Sequence, residues 1–316
     1  YYYCVITQTA SGCEEISSTA EVKITQGPEF VLEPIGTHVC LGATIIPLEV
    51  TYQYGVGTAS YQWYENTIND TTSGTPIPFA TNSTYTPLTT SDGTKYYYCK
   101  ISLPQGGCDP IVSITAEIIV DLDPTISIHP TPLQTICVGG TVNQLDVTYQ
   151  DGFGTDSYQW YENTTNSNVG GTPATGLGND QAIYTPNTTS FVSGFYYYYC
   201  VVTLSGNGCD PAPSDVAVIE IVNDPTVTAP LPSPQEKCQN GPILDISVTA
   251  SGGVGPPYSY QYQWYSNTTN SNSGGTLATG LGNQTDTYSP DNTTIGTLYY
   301  YCVITQTASG CEEISS

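Results

Sequence analysis

Residues 1–18, YYYCVITQTASGCEEISS, recur unchanged as residues 299–316, so the chain carries a long period of 298 residues. Tandem duplication is the economical origin of such an identity, and it restricts the chain to units that can follow one another many times. A shorter period lies inside the long one. YQWY occurs at 61–64, 158–161 and 262–265, which places Trp63, Trp160 and Trp264 at spacings of 97 and 104 residues. Each of the three modules so defined has a cysteine ahead of the tryptophan (Cys40, Cys137, Cys238), another after a tyrosine run (Cys99, Cys200, Cys302) and a third nine residues later (Cys108, Cys209, Cys311). Cys4 and Cys13 are the last two cysteines of a truncated preceding module. The expected division is 1–26, the closing strands of that preceding module; 27–123; 124–224; and 225–316, a third module without its last strand. The junctions Gln26-Gly27-Pro28, Asp121-Leu122-Asp123-Pro124 and Asn223-Asp224-Pro225 set turn formers beside a proline that stops a strand ladder. Linkers this short predict a stiff, elongated string of domains.

Within a module the local signals are strands: alternation in Leu145, Val147 and Tyr149, then YQWY, then a YTP or YSP segment at Tyr85, Tyr184 and Tyr288, then the tyrosine run. No helical period is visible, and 27 Tyr, 31 Gly and 23 Pro favour short strands and many turns, so the class is all-β. Ala20-Glu21-Val22-Lys23-Ile24 alternates most cleanly, and its counterpart is missing after Ser316. Either the next repeat continues covalently and supplies that strand, or residues 1–25 of a neighbouring molecule add it.

Four Lys+Arg against 28 Asp+Glu give a formal charge of −24, and all four cations are lysines. Phosphate backbones repel such a chain and no arginine is present to grip phosphate bidentately, which excludes nucleic-acid and nucleotide functions. No apolar run reaches the roughly 18 residues needed to span a bilayer, and no secretion signal opens the chain, which therefore reads as an excerpt of an exported protein with no membrane insertion in this segment. The regularly spaced cysteines fit an oxidising, extracellular setting.

A cysteine, a strand tryptophan and a tyrosine two residues before a second cysteine resemble an immunoglobulin-like sandwich, with Trp63, Trp160 and Trp264 in the core and tyrosine corners at Tyr97, Tyr198 and Tyr300. The early cysteines depart from that pattern, preceding their tryptophans by 23, 23 and 26 residues where immunoglobulins use about a dozen, and Val50 or Val147 takes the mid-strand place. QTICVGGTVNQLDVT at 134–148, SGGVGPPYSYQYQWY at 251–265 and ASGCEEISSTAEVKI at 10–24 resemble the Ig-like and SprB-type repeats of giant Bacteroidota surface adhesins. That resemblance implies tandem antiparallel β-sandwiches, export by the type IX route, and a part in adhesion or gliding at the cell surface. It also favours the pairings Cys40–Cys108, Cys137–Cys209 and Cys238–Cys311, leaving Cys99, Cys200 and Cys302 as buried free thiols. Two rivals stay open: a bridge from the early cysteine to the tyrosine-run cysteine, or a bridge between the two cysteines nine residues apart. A bridge closing a loop of about 70 residues stabilises a module by roughly 4 kcal/mol.

Candidates for chemistry are few. Asp121, Asp123 and Asp224 at the junctions offer hard oxygen ligands for calcium, against the reading that an Asp before Pro simply makes a turn. No CxxC exists, and His38 and His129 read as strand-edge or linker residues, so no firm metal site is expected and no cofactor besides calcium. No Gly-x-Ser-x-Gly, Ser-His-Asp order or paired-carboxylate motif appears, so no enzyme is expected. Asp70-Thr71-Thr72 resembles the Asp-Thr acceptor of Bacteroidota O-glycosylation and makes Thr71 a candidate for modification. The expected function is an extracellular structural fibre or stalk whose partners are further copies of itself, with surface glycans or other cells at its target. The alternatives are a carbohydrate-binding array using exposed tyrosines, and a filament of separate subunits joined by donated strands.

Overall fold

The computed structural model describes residues 1–256, 259–306 and 309–316. Pro257 and Tyr258, part of the GG…PPYxYQW approach, lie outside the described residues, as do Thr307 and Ala308. The chain is all-β, its only helical piece being a 3-10 turn at Pro104–Gly106 among the described residues. It forms two compact units: Tyr1–Asp123 with Gly152–Gly154 and Ser205–Asp210, and Pro124–Asp151 with Thr155–Leu204 and Pro211–Ser316.

In the first unit one sheet runs in the order Thr37–Cys40, Ala116–Asp121, Gly93–Ser102, Ser60–Asn66, Thr75–Pro76, with Ile111–Val112 on the far half of Gly93–Ser102. Facing it, Glu29–Leu32 pairs Thr51–Gln53 and Leu48–Glu49 pairs Thr84–Tyr85. This is the two-layer order of an immunoglobulin-like sandwich. All pairings are antiparallel except the edge, where Thr37–Cys40 runs parallel to Ala116–Asp121. The exception follows from Pro34 and Gly36: the proline ends the first strand, and a Cβ on Gly36 would lie 2.2 Å from the Glu117 carbonyl, so glycine lets the chain cross to the other sheet. The second unit repeats this plan with Leu133–Cys137 parallel to Ala217–Val222, and again, with fewer strands, in Thr226–Ile314.

Each module has its own core. Trp63, Trp160 and Trp264 are fully buried, and each ring nitrogen donates to a backbone carbonyl, of Asn82, Gln181 and Thr285, at 2.8–2.9 Å. Val50, 0 % exposed, is buried in the core between the short strands Leu48–Glu49 and Thr51–Gln53, as Val147 is between Leu145–Asp146 and Thr148–Gln150. Cys99 faces Trp63 in strand register, as Cys200 faces Trp160 and Cys302 faces Trp264. Tyr97 and Tyr198 are buried, with ring centroids 5.7 and 5.8 Å from Tyr85 and Tyr184; half-buried Tyr300 lies 5.4 Å from Tyr288.

The outward tyrosines depart from expectation. Tyr98, Tyr199 and Tyr301 point away from the core yet are only 4–6 % exposed, because each stacks on the last tyrosine of YQWY at 5.0–5.2 Å. Their hydroxyls accept from the N–H of Gly74, Gly171 and Gly275, clamping the next turn. Rings held in this way offer no free face for a sugar to stack on.

Candidate functional site: the cysteine junctions

Four cysteines are bonded, in the pairs Cys40–Cys209 and Cys137–Cys311, with Cα separations of 4.8 and 5.1 Å. The pairings Cys40–Cys108, Cys137–Cys209 and Cys238–Cys311 are therefore not formed, nor are the rival bridges to Cys99, Cys200 or Cys302. Strand register gives the physical reason. Cys40 lies opposite Asp121, level with the Gly93 end of the ten-residue strand Gly93–Ser102, whereas Cys108 follows the Ser102 end. At about 3.3 Å per residue the two ends stand on the order of 30 Å apart, far outside the roughly 7 Å limit on Cα atoms that a disulfide sets. Cys40 and Cys137, opposite Asp121 and Val222, thus sit at the end where their modules hand over to the next. Cys209 and Cys311 follow the opposite ends of their long strands, and the two bridges join an early cysteine to the late cysteine of the following module.

The contacts around the two bridges match. The Cys40 N–H donates to the Asn207 carbonyl at 2.9 Å, and the Cys137 N–H to the Ser309 carbonyl at 3.1 Å. A tight turn follows each early cysteine, with the Ala43 N–H on the Cys40 carbonyl and the Gly140 N–H on the Cys137 carbonyl. Thr89 and Thr188 hydroxyls fix these turns by donating to the Ala43 and Gly140 carbonyls at 2.8 Å. Gly208 and Gly310, at φ 75° and 72°, approach so closely that an added Cβ would lie 2.2 Å from the Ala43 side chain and 2.8 Å from the Gly140 Cα. In the first unit His38 stacks on Phe153 at 3.6 Å and hydrogen bonds Asp121 at 2.7 Å, as the strand-edge reading anticipates. Nothing in the cysteine spacing distinguished these pairings, since every module repeats the same three positions.

The remaining cysteines divide by environment. Cys99, Cys200 and Cys302 are buried thiols, and burial pushes each up to about 12. Cys4, Cys13 and Cys238 are exposed and Cys108 is half-buried. The junction carboxylates have protein partners: Asp121 holds His38, and Asp123 accepts from the Asp210 N–H at 3.0 Å. Asp224 lies beside Cys137 and Cys311, but those two sulfurs are bonded to each other and are not thiolate ligands. Thr71 is half-buried in a loop that Asp70 organises by accepting from Thr72 and Ser73; these hydrogen bonds, that from Ser73 foremost, lower Asp70 to about 2.

Three surface grooves stand out. One of about 470 Å³ in the third module is lined by Pro230–Gln235, Leu298–Tyr301 and Ser316, with no Asp or Glu in its wall. It lies where the strands Ala116–Asp121 and Ala217–Val222 run in the other modules, beside Tyr97 and Tyr198. A second, of about 500 Å³, contains Glu220 as its one carboxylate, and a third, of about 170 Å³, contains Glu65, paired with Lys95 at 3.0 Å. None of the three brings two carboxylates together. No helix among the described residues is long and apolar enough to cross a membrane.

A family model described as Domain of unknown function (DUF8696) matches residues 35–122, most of the first module. No curated protein matches the chain. Among solved structures the chain is similar to an I-band fragment from titin, at 14% identity and a TM-score of 0.43 over 92% of this chain and 98% of that one. It is similar to Sidekick-1 immunoglobulin domains 1–5, at 14% identity and 0.43 over 99% and 65%. Fibronectin(III)-like modules of Clostridium thermocellum CbhA are similar at 14% identity and 0.28 over 61% and 92%. The immunoglobulin-like plan rests on the strand order of each module, and these likenesses add nothing to it.

Proposed function

We propose that this chain is one period of an extracellular structural repeat protein, a fibre or stalk that holds an adhesive or motile function away from a bacterial surface. The observation that carries the reading is the bonding of an early cysteine to the late cysteine of the following module, twice in one chain. Such bridges bear load across a junction and persist only in an oxidising compartment. Their role is mechanical: they tie consecutive modules together, while the charge of −24 keeps neighbouring fibres apart at low salt.

Repetition also explains the groove of the third module. The first 18 residues form a hairpin with the register of its copy, Val5 opposite Ile16 as Val303 is opposite Ile314. Beyond it, Ala20 bridges Tyr2, the counterpart of Tyr300, with N–H to carbonyl distances of 2.7 and 2.8 Å. A segment with the sequence of residues 19–25 would therefore enter the groove beside Tyr300, with Ala20, Val22 and Ile24 in the inward places that Ala116, Ile118 and Val120 fill in the first module. The occupant is the following copy of the repeat. Electron microscopy of native material tests the reading: fibres many periods long support it, and uniform particles the size of one chain overturn it.

A further inference from the structure

Two bridges follow one rule, and two unbonded cysteines fit the same rule across a repeat boundary. Cys108 is the late cysteine of the first module and Cys238 the early cysteine of the third. The bonded pairs are 169 and 174 residues apart. Cys108 plus one period of 298 is position 406, which is 168 residues after Cys238.

Both halves of the junction are preformed. The Gly241 N–H donates to the Cys238 carbonyl at 2.8 Å, the same turn that follows Cys40 and Cys137, and the Asn292 side chain donates to the Gly241 carbonyl where Thr89 and Thr188 serve in the other modules. Gly241 supplies the small residue that Ala43 and Gly140 supply elsewhere. No described residue accepts from the Cys238 N–H, whose counterparts at Cys40 and Cys137 bond the incoming loop. On the other half, Gly107 has φ 64°, as Gly208 and Gly310 have 75° and 72°. An added Cβ on Gly107 would meet nothing within 4 Å, so this face is open where those of Gly208 and Gly310 are in contact.

We propose that Cys238 forms a disulfide with Cys108 of the following copy of the repeat, so that the ladder of bridges runs unbroken from one period into the next. The proposal rests on the tandem reading above. Its chemistry is thiol–disulfide exchange with a low-molecular-mass disulfide such as oxidised glutathione. One protein thiolate attacks that disulfide and releases one small thiol; the second protein thiolate then displaces the other. Two protein thiols are oxidised to one disulfide, and one small disulfide is reduced to two thiols.

The test is a disulfide map of native material purified without reductant, alkylated with iodoacetamide and digested with pepsin at low pH to prevent exchange. The expected result is a cross-linked peptide pair containing Cys108 and Cys238, alongside Cys40–Cys209 and Cys137–Cys311 as internal controls. In the C238S variant that pair should vanish and Cys108 should become alkylated while both controls remain. Alkylated Cys108 and Cys238 in the native protein, or a Cys108 that stays bonded in C238S, overturns the proposal. Light scattering on the same sample separates the two ideas: a large assembly with both thiols alkylated rejects the bridge and leaves the repeat reading standing, whereas a lone 33.7 kDa chain rejects both.

Discussion

Cys99, Cys200 and Cys302 stand across from the core tryptophans, and burial holds their thiols in the neutral form, raised to about 12. Since the thiolate is the reactive species, iodoacetamide at pH 8 should label Cys108 and Cys238 wherever they are unbonded while leaving these three untouched until the protein unfolds. Peptide mass mapping reads the result, and labelling of Cys99 in the native protein as fast as in the unfolded one would contradict it. At the acid end, Asp70 and Asp291 are lowered to about 2, by hydrogen bonds led by Ser73 and by Thr294 respectively. A depressed carboxyl favours the folded loop above its ordinary value of 3.8, and the benefit is lost as pH falls towards 2. Carboxyl NMR titrations should therefore show midpoints near 2; midpoints near 4 would remove these hydrogen bonds from the account. The tryptophan cores were legible in YQWY alone. The stacking of Tyr98, Tyr199 and Tyr301 was not, because alternation assigns them to the outer face without saying that a neighbouring ring and a glycine turn cover them.

At the scale of strands, one 18-residue sequence in two places shows what is local and what is not. Both copies form the same hairpin, but Ile6 is 65% exposed where Ile304 is fully buried. Pairing is thus dictated by the sequence itself, and burial by the sheets that the rest of a module provides. By the same logic the third-module groove is proposed as the receptor for the alternating strand. In the 316-residue chain taken alone, where no following copy fills the groove, a synthetic peptide with the sequence of residues 19–25 should raise that module's melting temperature, by a margin corresponding to about 2.7 kcal/mol at a hundredfold excess over its dissociation constant. The peptide carrying V22D should not, since it puts a charge in an inward place; equal effects from both peptides would show that the groove does not take this strand. Alternation in Ala20–Ile24 revealed the strand, whereas the parallel edge pairing of Thr37–Cys40 was hidden, because a period of two is the same for parallel and antiparallel partners.

For the whole molecule the cysteine pattern matters most. Sequence resemblance placed each bridge inside a module, but an early and a late cysteine of one module lie at opposite ends of its sheet, and that separation appears only once strand register is known. A loop of about 170 residues closed by one disulfide stabilises a fold by about 5 kcal/mol in the chain-entropy model. Removing the bridge with C209S should lower the melting temperature of the first unit, followed by calorimetry, without unfolding it at 25 °C; an unchanged transition would show that the bridge bears no load. This 298-residue period is proposed to be one step in a longer structural array, and the mass of native material in non-denaturing solution reports whether it is. Light scattering should give many times 33.7 kDa, and a single species at 33.7 kDa would contradict the account.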